Sequence, residues 1–139
     1  MTESAVVDTG SLVAVISERD PNHERCTEAL KGLRCPLVTS WPVLTEAIYL
    51  LRRRRQYSDA LLQQAEEGTF FRVRNLDNEF AAWSRRFFDR FSDREPQLAD
   101  ASLVYLAERE AIETVFTIDV RDFTVYRTTD GKALRIVPE

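Results

Sequence analysis

The sequence predicts an α/β fold, and three observations carry that expectation. Short apolar runs of strand length recur along the chain, stretches of helical periodicity lie between them, and proline, glycine or a capping polar residue marks the joins. Strands that alternate with helices from start to finish imply βαβ crossovers, hence a mainly parallel sheet covered by helices on both faces. The chain has 139 residues, with no internal repeat, low-complexity tract or linker. Residues 1–139 therefore read as a single three-layer α/β/α sandwich.

Ala5-Val6-Val7 is a short buried strand that ends in Asp8, and Thr9-Gly10-Ser11 reads as a tight turn into a helix over residues 12–17. Asp20-Pro21-Asn22 starts a second helix running to about Leu33, with proline at an early position where an N–H is not needed. Residues 36–40 form a second buried strand. Pro42 opens a helix to Leu50 or Leu51, and Arg52, Arg53, Arg54 and Arg55 close it, where positive charge suits a helix C-terminus. Ser58 with Leu61 and Leu62 begins another helix, ended by Gly68. Residues 70–76 alternate Phe71 and Val73 with Arg72 and Arg74, the pattern of a half-exposed strand. Asp77 caps a helix to about Phe91, and residues 92–97 are a polar loop containing Pro96. Residues 98–110 are helical, 114–117 a strand, and 134–137 the last strand.

A hydrophobic fraction of 44% with 10% aromatics fills a real core and excludes a disordered chain. No apolar run approaches the roughly 18–20 residues that cross a bilayer. Met-Thr-Glu-Ser has neither a basic n-region nor an apolar h-region. A cytoplasmic protein with no membrane association is expected. Cys26 and Cys35 lack a second pair or clustered histidines, which argues against zinc. The net charge of −4 argues against nonspecific coating of nucleic acid. It leaves room for a nuclease, whose own acidic centre subtracts from the total.

Four acids stand where a structural role explains them poorly as a set. Ligands of open α/β sheets gather at the carboxyl ends of the strands; Asp8 ends the first strand and Asp119 follows the strand at 114–117, so both point to the same edge. Taken singly, either is also an ordinary helix cap. Glu46 shares a helical stripe with Val43, Ala47 and Leu50, and Asp100 precedes Leu103, Val104, Ala107 and Ala111 at helical spacing. Asp100 as a plain cap and Glu46 at the edge of its stripe are the structural alternatives. An ionised carboxylate buried without a partner costs several kcal/mol, and no Lys or His lies in these stretches to offset it. A divalent cation would, and oxygen-only ligands favour Mg²⁺ or Mn²⁺ over zinc. His23 is expected on the surface of the second helix, outside any catalytic triad.

The segments Val-Val-Asp-Thr-Gly-Ser (6–11), Asp-Pro-Asn-His-Glu (20–24), Thr-Ser-Trp-Pro-Val-Leu-Thr-Glu (39–46), Leu-Ala-Asp-Ala-Ser-Leu (98–103) and Thr-Ile-Asp-Val-Arg-Asp-Phe (117–123) occur in one order across almost the whole chain. In this the sequence resembles the PIN domain, and within it the short VapC-like toxins of bacterial toxin–antitoxin pairs. The resemblance implies Asp8, Glu46, Asp100 and Asp119 as an acidic quartet around Mg²⁺ or Mn²⁺. It further implies Thr9, Ser11 and Thr117 as polar neighbours, with Asp122 either an outer member or a solvated helix-start acid. A ribonuclease acting on RNA, a homodimer, and silencing by a small antitoxin are what it implies for function. Asp8 and Asp100 would then be direct metal ligands. Glu46 and Asp119 would act through water, a second ion, or as the base that orients the nucleophile. Arg52, Arg53, Arg54 and Arg55, with Arg85, Arg86 and Arg90, are candidate RNA contacts, a solvated arginine face being the plainer alternative for each block.

Other classes fit less well. A haloacid-dehalogenase phosphatase needs a second Asp two residues after the first, where this chain has Gly10; a response-regulator receiver needs paired acids after its first strand. A housekeeping RNA-processing nuclease and a catalytically inactive RNA- or partner-binding module remain the alternatives.

Overall fold

The computed structural model describes residues 4–138. Strands β1 (Ala5–Val7), β2 (Leu37–Ser40), β3 (Phe71–Arg74), β4 (Thr114–Phe116) and β5 (Arg135–Val137) form one parallel sheet in the order β3-β2-β1-β4-β5. The helices are α1 (Thr9–Ile16), α2 (His23–Gly32), α3 (Trp41–Leu50), α4 (Arg55–Glu67), α5 (Glu79–Arg90), α6 (Leu98–Glu110) and the short α7 (Val120–Phe123). Every residue of β1, β2 and β4 is buried, as expected of parallel strands covered on both faces. The edge strand β3 keeps the alternation, with Phe71 buried and Arg72 exposed. No helix among the described residues is long and apolar enough to cross a membrane.

The topology places the site. From β1 the chain builds outward through β2 and β3, then returns to lay β4 against the other side of β1. Such a reversal opens a crevice beyond the carboxyl ends of the two strands, here between β1 and β4. The Asp8 N–H donates to the Phe116 carbonyl (3.1 Å), so the strands stay joined up to the first acid. Beside the crevice an aromatic cluster locks α5, α6 and the segment after α7 together. Phe87 packs on Trp83, Phe91 and Tyr126 at 5.1, 4.9 and 5.0 Å between centroids, each such pair adding about 0.5–1.5 kcal/mol beyond its burial.

Three expectations need correction. Helix α1 starts at Thr9, with no turn before it: Asp8 is its N-cap and accepts from the Thr9 N–H (2.8 Å). Gly10 lies in this first turn beside the Ile118 side chain, which a Cβ there would meet in ordinary contact at 3.4 Å. Helix α4 begins at Arg55, three residues before Ser58, so the arginine block divides between a turn and a new helix. His23 is half-buried, its Nδ1 donating to the Ala14 carbonyl (2.7 Å) and tying α2 to α1. Helix α7 is an addition, too short for any periodicity to reveal.

Candidate active site

The backbone brings four acids to one place from four separate segments. Asp8 leaves the end of β1, Glu46 lies on α3, Asp100 is the third residue of α6, and Asp119 caps α7 after β4. Together with Thr9, Gly10, Glu95, Gln97, Ile118 and Asp122 they line a depression of about 300 Å³. Asp8 is buried; Glu46, Asp100 and Asp119 are half-buried.

Each acid is held by short polar contacts. Asp8 Oδ1 accepts from the Thr9 N–H and Oδ2 from Thr117 Oγ1 (3.0 Å). The same Thr117 hydroxyl accepts from the Asp119 N–H (2.9 Å), so one side chain orients the acids of both strands. Thr9 Oγ1 donates to Glu46 Oε1 (2.9 Å). Asp100 Oδ2 accepts from the Gln97 N–H (3.3 Å), as in a capping box, and from the Tyr126 hydroxyl (3.2 Å).

None of the four carboxylates has an ion-pair partner among the described residues. Burial, with the charge of Asp100 beside it, pushes Asp8 up to about 7, against the lowering pull of Thr9 and Thr117. Burial likewise pushes Asp100 to about 6, opposed by Gln97 and Tyr126 and reinforced by Asp119 and Glu46. Asp119 is raised mainly by burial. The Tyr126 phenol is driven far above its ordinary range by burial and by Asp100, so it remains a donor. These are groups short of positive charge.

The donor set is all oxygen, which suits a hard divalent cation. Among the described residues, no three of these carboxylates stand at the spacing of a closed metal cage. That openness fits an ion which keeps part of its water shell and takes only one or two carboxylates directly, as Mg²⁺ commonly does.

The other predicted residues fall into two groups. Thr9 and Thr117 touch the acids, and Asp122 lines the depression while facing the Arg94 guanidinium at 3.8 Å. Ser11 is buried beside the Cys26 thiol and bonds to none of the acids, because three residues into α1 its side chain has turned away from the crevice. Arg52 stacks on Tyr49 (4.0 Å), and Arg53, Arg85 and Arg86 are exposed; none of the four lines the acidic depression. Sequence reasoning missed Tyr126, Gln97 and Glu95. The available signal for Tyr126 was its spacing of three from Phe123, one face of a helical turn directly behind the fourth acid.

A protein-family model, the PIN domain, matches residues 5–127. The chain belongs to the PIN-domain family. A curated relative, Ribonuclease VapC26 of Mycobacterium tuberculosis, is 28% identical over 135 residues, spanning 96% of this chain and 99% of that protein. Among solved structures, VapC20 of Mycobacterium tuberculosis, described as a Sarcin-Ricin loop cleaving toxin, matches this PIN domain with a TM-score of 0.73 at 22% identity, over 84% of this chain and 91% of that one. VapBC2 from Rickettsia felis, bound to a DNA fragment from its promoter, gives 0.64 at 12% identity, over 96% and 98% of the two chains. FitAcB from Neisseria gonorrhoeae gives 0.63 at 17% identity, over 95% of each. These likenesses show a shared PIN fold.

Proposed function

We propose that this PIN-domain protein is a divalent-metal-dependent endoribonuclease. In this reading it is the toxin of a toxin–antitoxin pair, acts in the cytoplasm and is neutralised by a small antitoxin. The observation that carries the reading is the crevice itself: four carboxylates from four segments, fixed by hydroxyls and backbone N–H groups, with no ion-pair partner among the described residues. The relative named a ribonuclease, similar along nearly its whole length, supports RNA as the substrate.

Mg²⁺ or Mn²⁺ bound there would supply charge against the phosphodiester and an acidified water. Asp8 and Asp100 are assigned as the groups that hold it directly, with Glu46 and Asp119 acting through water or orienting the attacking water. Thr117 fixes the angle between Asp8 and Asp119, Thr9 aims Glu46, and Tyr126 keeps Asp100 facing the crevice.

The test is cleavage of single-stranded RNA by the purified protein with Mg²⁺ or Mn²⁺, set beside Asp8→Asn. Cleavage should fall about a hundredfold or more, the scale seen when a preorganised charge contact at a reacting centre is lost. Equal cleavage by both proteins rejects the assignment. Growth arrest on expression, relieved by the product of a neighbouring small gene, checks the toxin role; no arrest points to RNA processing instead.

A further inference from the structure

A second depression, about 200 Å³ in volume, lies outside the acidic crevice and has the opposite character. Its lining is Trp83, Arg86, Phe87, Arg90, Arg127 and Thr129, with three guanidinium groups and no carboxylate. Arg86 and Arg90 are four apart on α5 and so share a face; Arg127 reaches them from the segment after α7.

Two of these arginines are pinned by backbone. Arg90 Nη1 donates to the Thr128 carbonyl (2.9 Å), while Arg127 Nη1 donates to the carbonyls of Thr124 (2.7 Å) and Tyr126 (2.8 Å). A guanidinium has five N–H donors, so each keeps others to offer. Arg86 has no hydrogen-bond or ion-pair partner among the described residues. Glu108, which bonds two lining residues, is already committed: it accepts from Trp83 Nε1 (3.0 Å) and the Thr129 N–H (2.5 Å). Three converging positive charges, in a chain whose net charge is −4, are a local excess that an anion would neutralise.

The two depressions have no lining residue in common, but a buried aromatic pair connects them. Phe87, in the lining, packs on the Tyr126 ring (5.0 Å), and the Tyr126 hydroxyl donates to Asp100. Arg127 is the next residue along. A phosphodiester strand that leaves the crevice on the α5 side would run toward the arginines, two of which stand on that helix. The small volume suits a phosphate gripped by planar forks, and Trp83 and Phe87 are too buried to serve as open stacking platforms.

We infer that Arg86, Arg90 and Arg127 form a subsite for a backbone phosphate of the RNA strand flanking the one cut at the acidic crevice. The inference rests on the ribonuclease reading and deepens it by assigning where the substrate is held.

The experiment measures binding of a fluorescein-labelled single-stranded RNA, kept uncut by EDTA, by anisotropy across a series of KCl concentrations. Wild type is compared with Arg86→Gln, Arg86→Glu and Arg86→Lys. Arg86 is exposed and partnerless, so thermal melting should confirm intact folding in each. Arg86→Gln should weaken binding about three- to tenfold and lower the salt slope by about one. Arg86→Glu should weaken it further, and Arg86→Lys should recover the slope but only part of the affinity. In cleavage of long RNA, Arg86→Gln should raise KM and leave kcat unchanged. Unchanged affinity and slope in both Arg86→Gln and Arg86→Glu overturns the subsite while leaving the nuclease reading intact. Loss of RNA binding in a protein that shows no metal-dependent cleavage upholds the subsite and overturns the nuclease reading. Loss of antitoxin binding with RNA binding unchanged overturns it in favour of an acidic protein segment.

Discussion

Helix α6 takes part in two tyrosine–aspartate hydrogen bonds, lending the tyrosine to one and the aspartate to the other. Tyr105 donates to Asp77 (2.5 Å) at an exposed position where Arg109 adds a guanidinium at 3.4 Å. Tyr126 donates to Asp100 (3.2 Å) in a half-buried position that faces Asp8, Asp119 and Glu46. Asp77 is held below its ordinary range by the Tyr105 hydroxyl and Arg109, whereas Asp100 is pushed up to about 6 by burial. The same bond type thus accompanies opposite ionisation behaviour. A hydroxyl donor steers a carboxylate; solvent and neighbouring charge decide how costly its ionisation is.

The largest effect that could break this contrast is removal of charge from the crevice. Asp8→Asn should stabilise the metal-free protein at about pH 7.5 by on the order of 1–3 kcal/mol, while lowering cleavage about a hundredfold or more. The sign follows from proton counting. Asp8 sits near 7 when folded and near 3.8 as a free side chain, so between those limits the folded state binds more protons. Metal-free stability should therefore fall as pH rises from about 4 to 7, and Mn²⁺ should raise the melting temperature most at the upper end. Flat melting temperatures across that window, or a destabilised Asp8→Asn, would contradict the reading.

A smaller effect is expected from Tyr126→Phe, which keeps the ring among Phe87, Phe91 and Phe123 and removes only the hydroxyl. Asp100 then loses a contact that favours its ionised form, so its pKa should climb further. At about pH 6 the thermal shift produced by Mn²⁺ should shrink, by an amount reflecting about 1 kcal/mol of lost interaction. The smallest effect sharpens the comparison from the other side. Asp77→Asn should lower the melting temperature slightly at neutral pH, opposite in sign to Asp8→Asn, and leave cleavage unchanged. A gain in stability would show that the exposed pair is also a site of unrelieved charge.

Much of this arrangement was legible in the sequence, for a physical reason. A parallel sheet sends every strand end to the same edge, so reading the strand ends at Asp8 and Thr117 already brought two acids together. Glu46 and Asp100 followed from carboxylates set in apolar helical stripes. Helix α6 was readable because helical apolar spacing runs along its thirteen residues, although the left-handed Ala111 that ends it carries no mark in the sequence. What stayed hidden depends on direction or on tertiary contact. Ser11 is near Asp8 in sequence but rotated away by the helix that Asp8 itself caps. The spacing of Tyr126 from Phe123 could place it behind the fourth acid but not show that its hydroxyl reaches Asp100, twenty-six residues earlier. The arginine runs declared themselves as a patch, yet the convergence of Arg127 on Arg86 and Arg90 exists only after folding.

Asp8 and Asp119 are rooted in β1 and β4, strands flanked by hydrogen-bonded neighbours on both sides. Elements of that kind are the last to open in local fluctuations, since exposing them means losing the whole domain. In the proposed ribonuclease, an acidic edge so rooted has no inexpensive internal way to be put away. Restraint of that activity is then expected from outside, from something that competes for the groove itself.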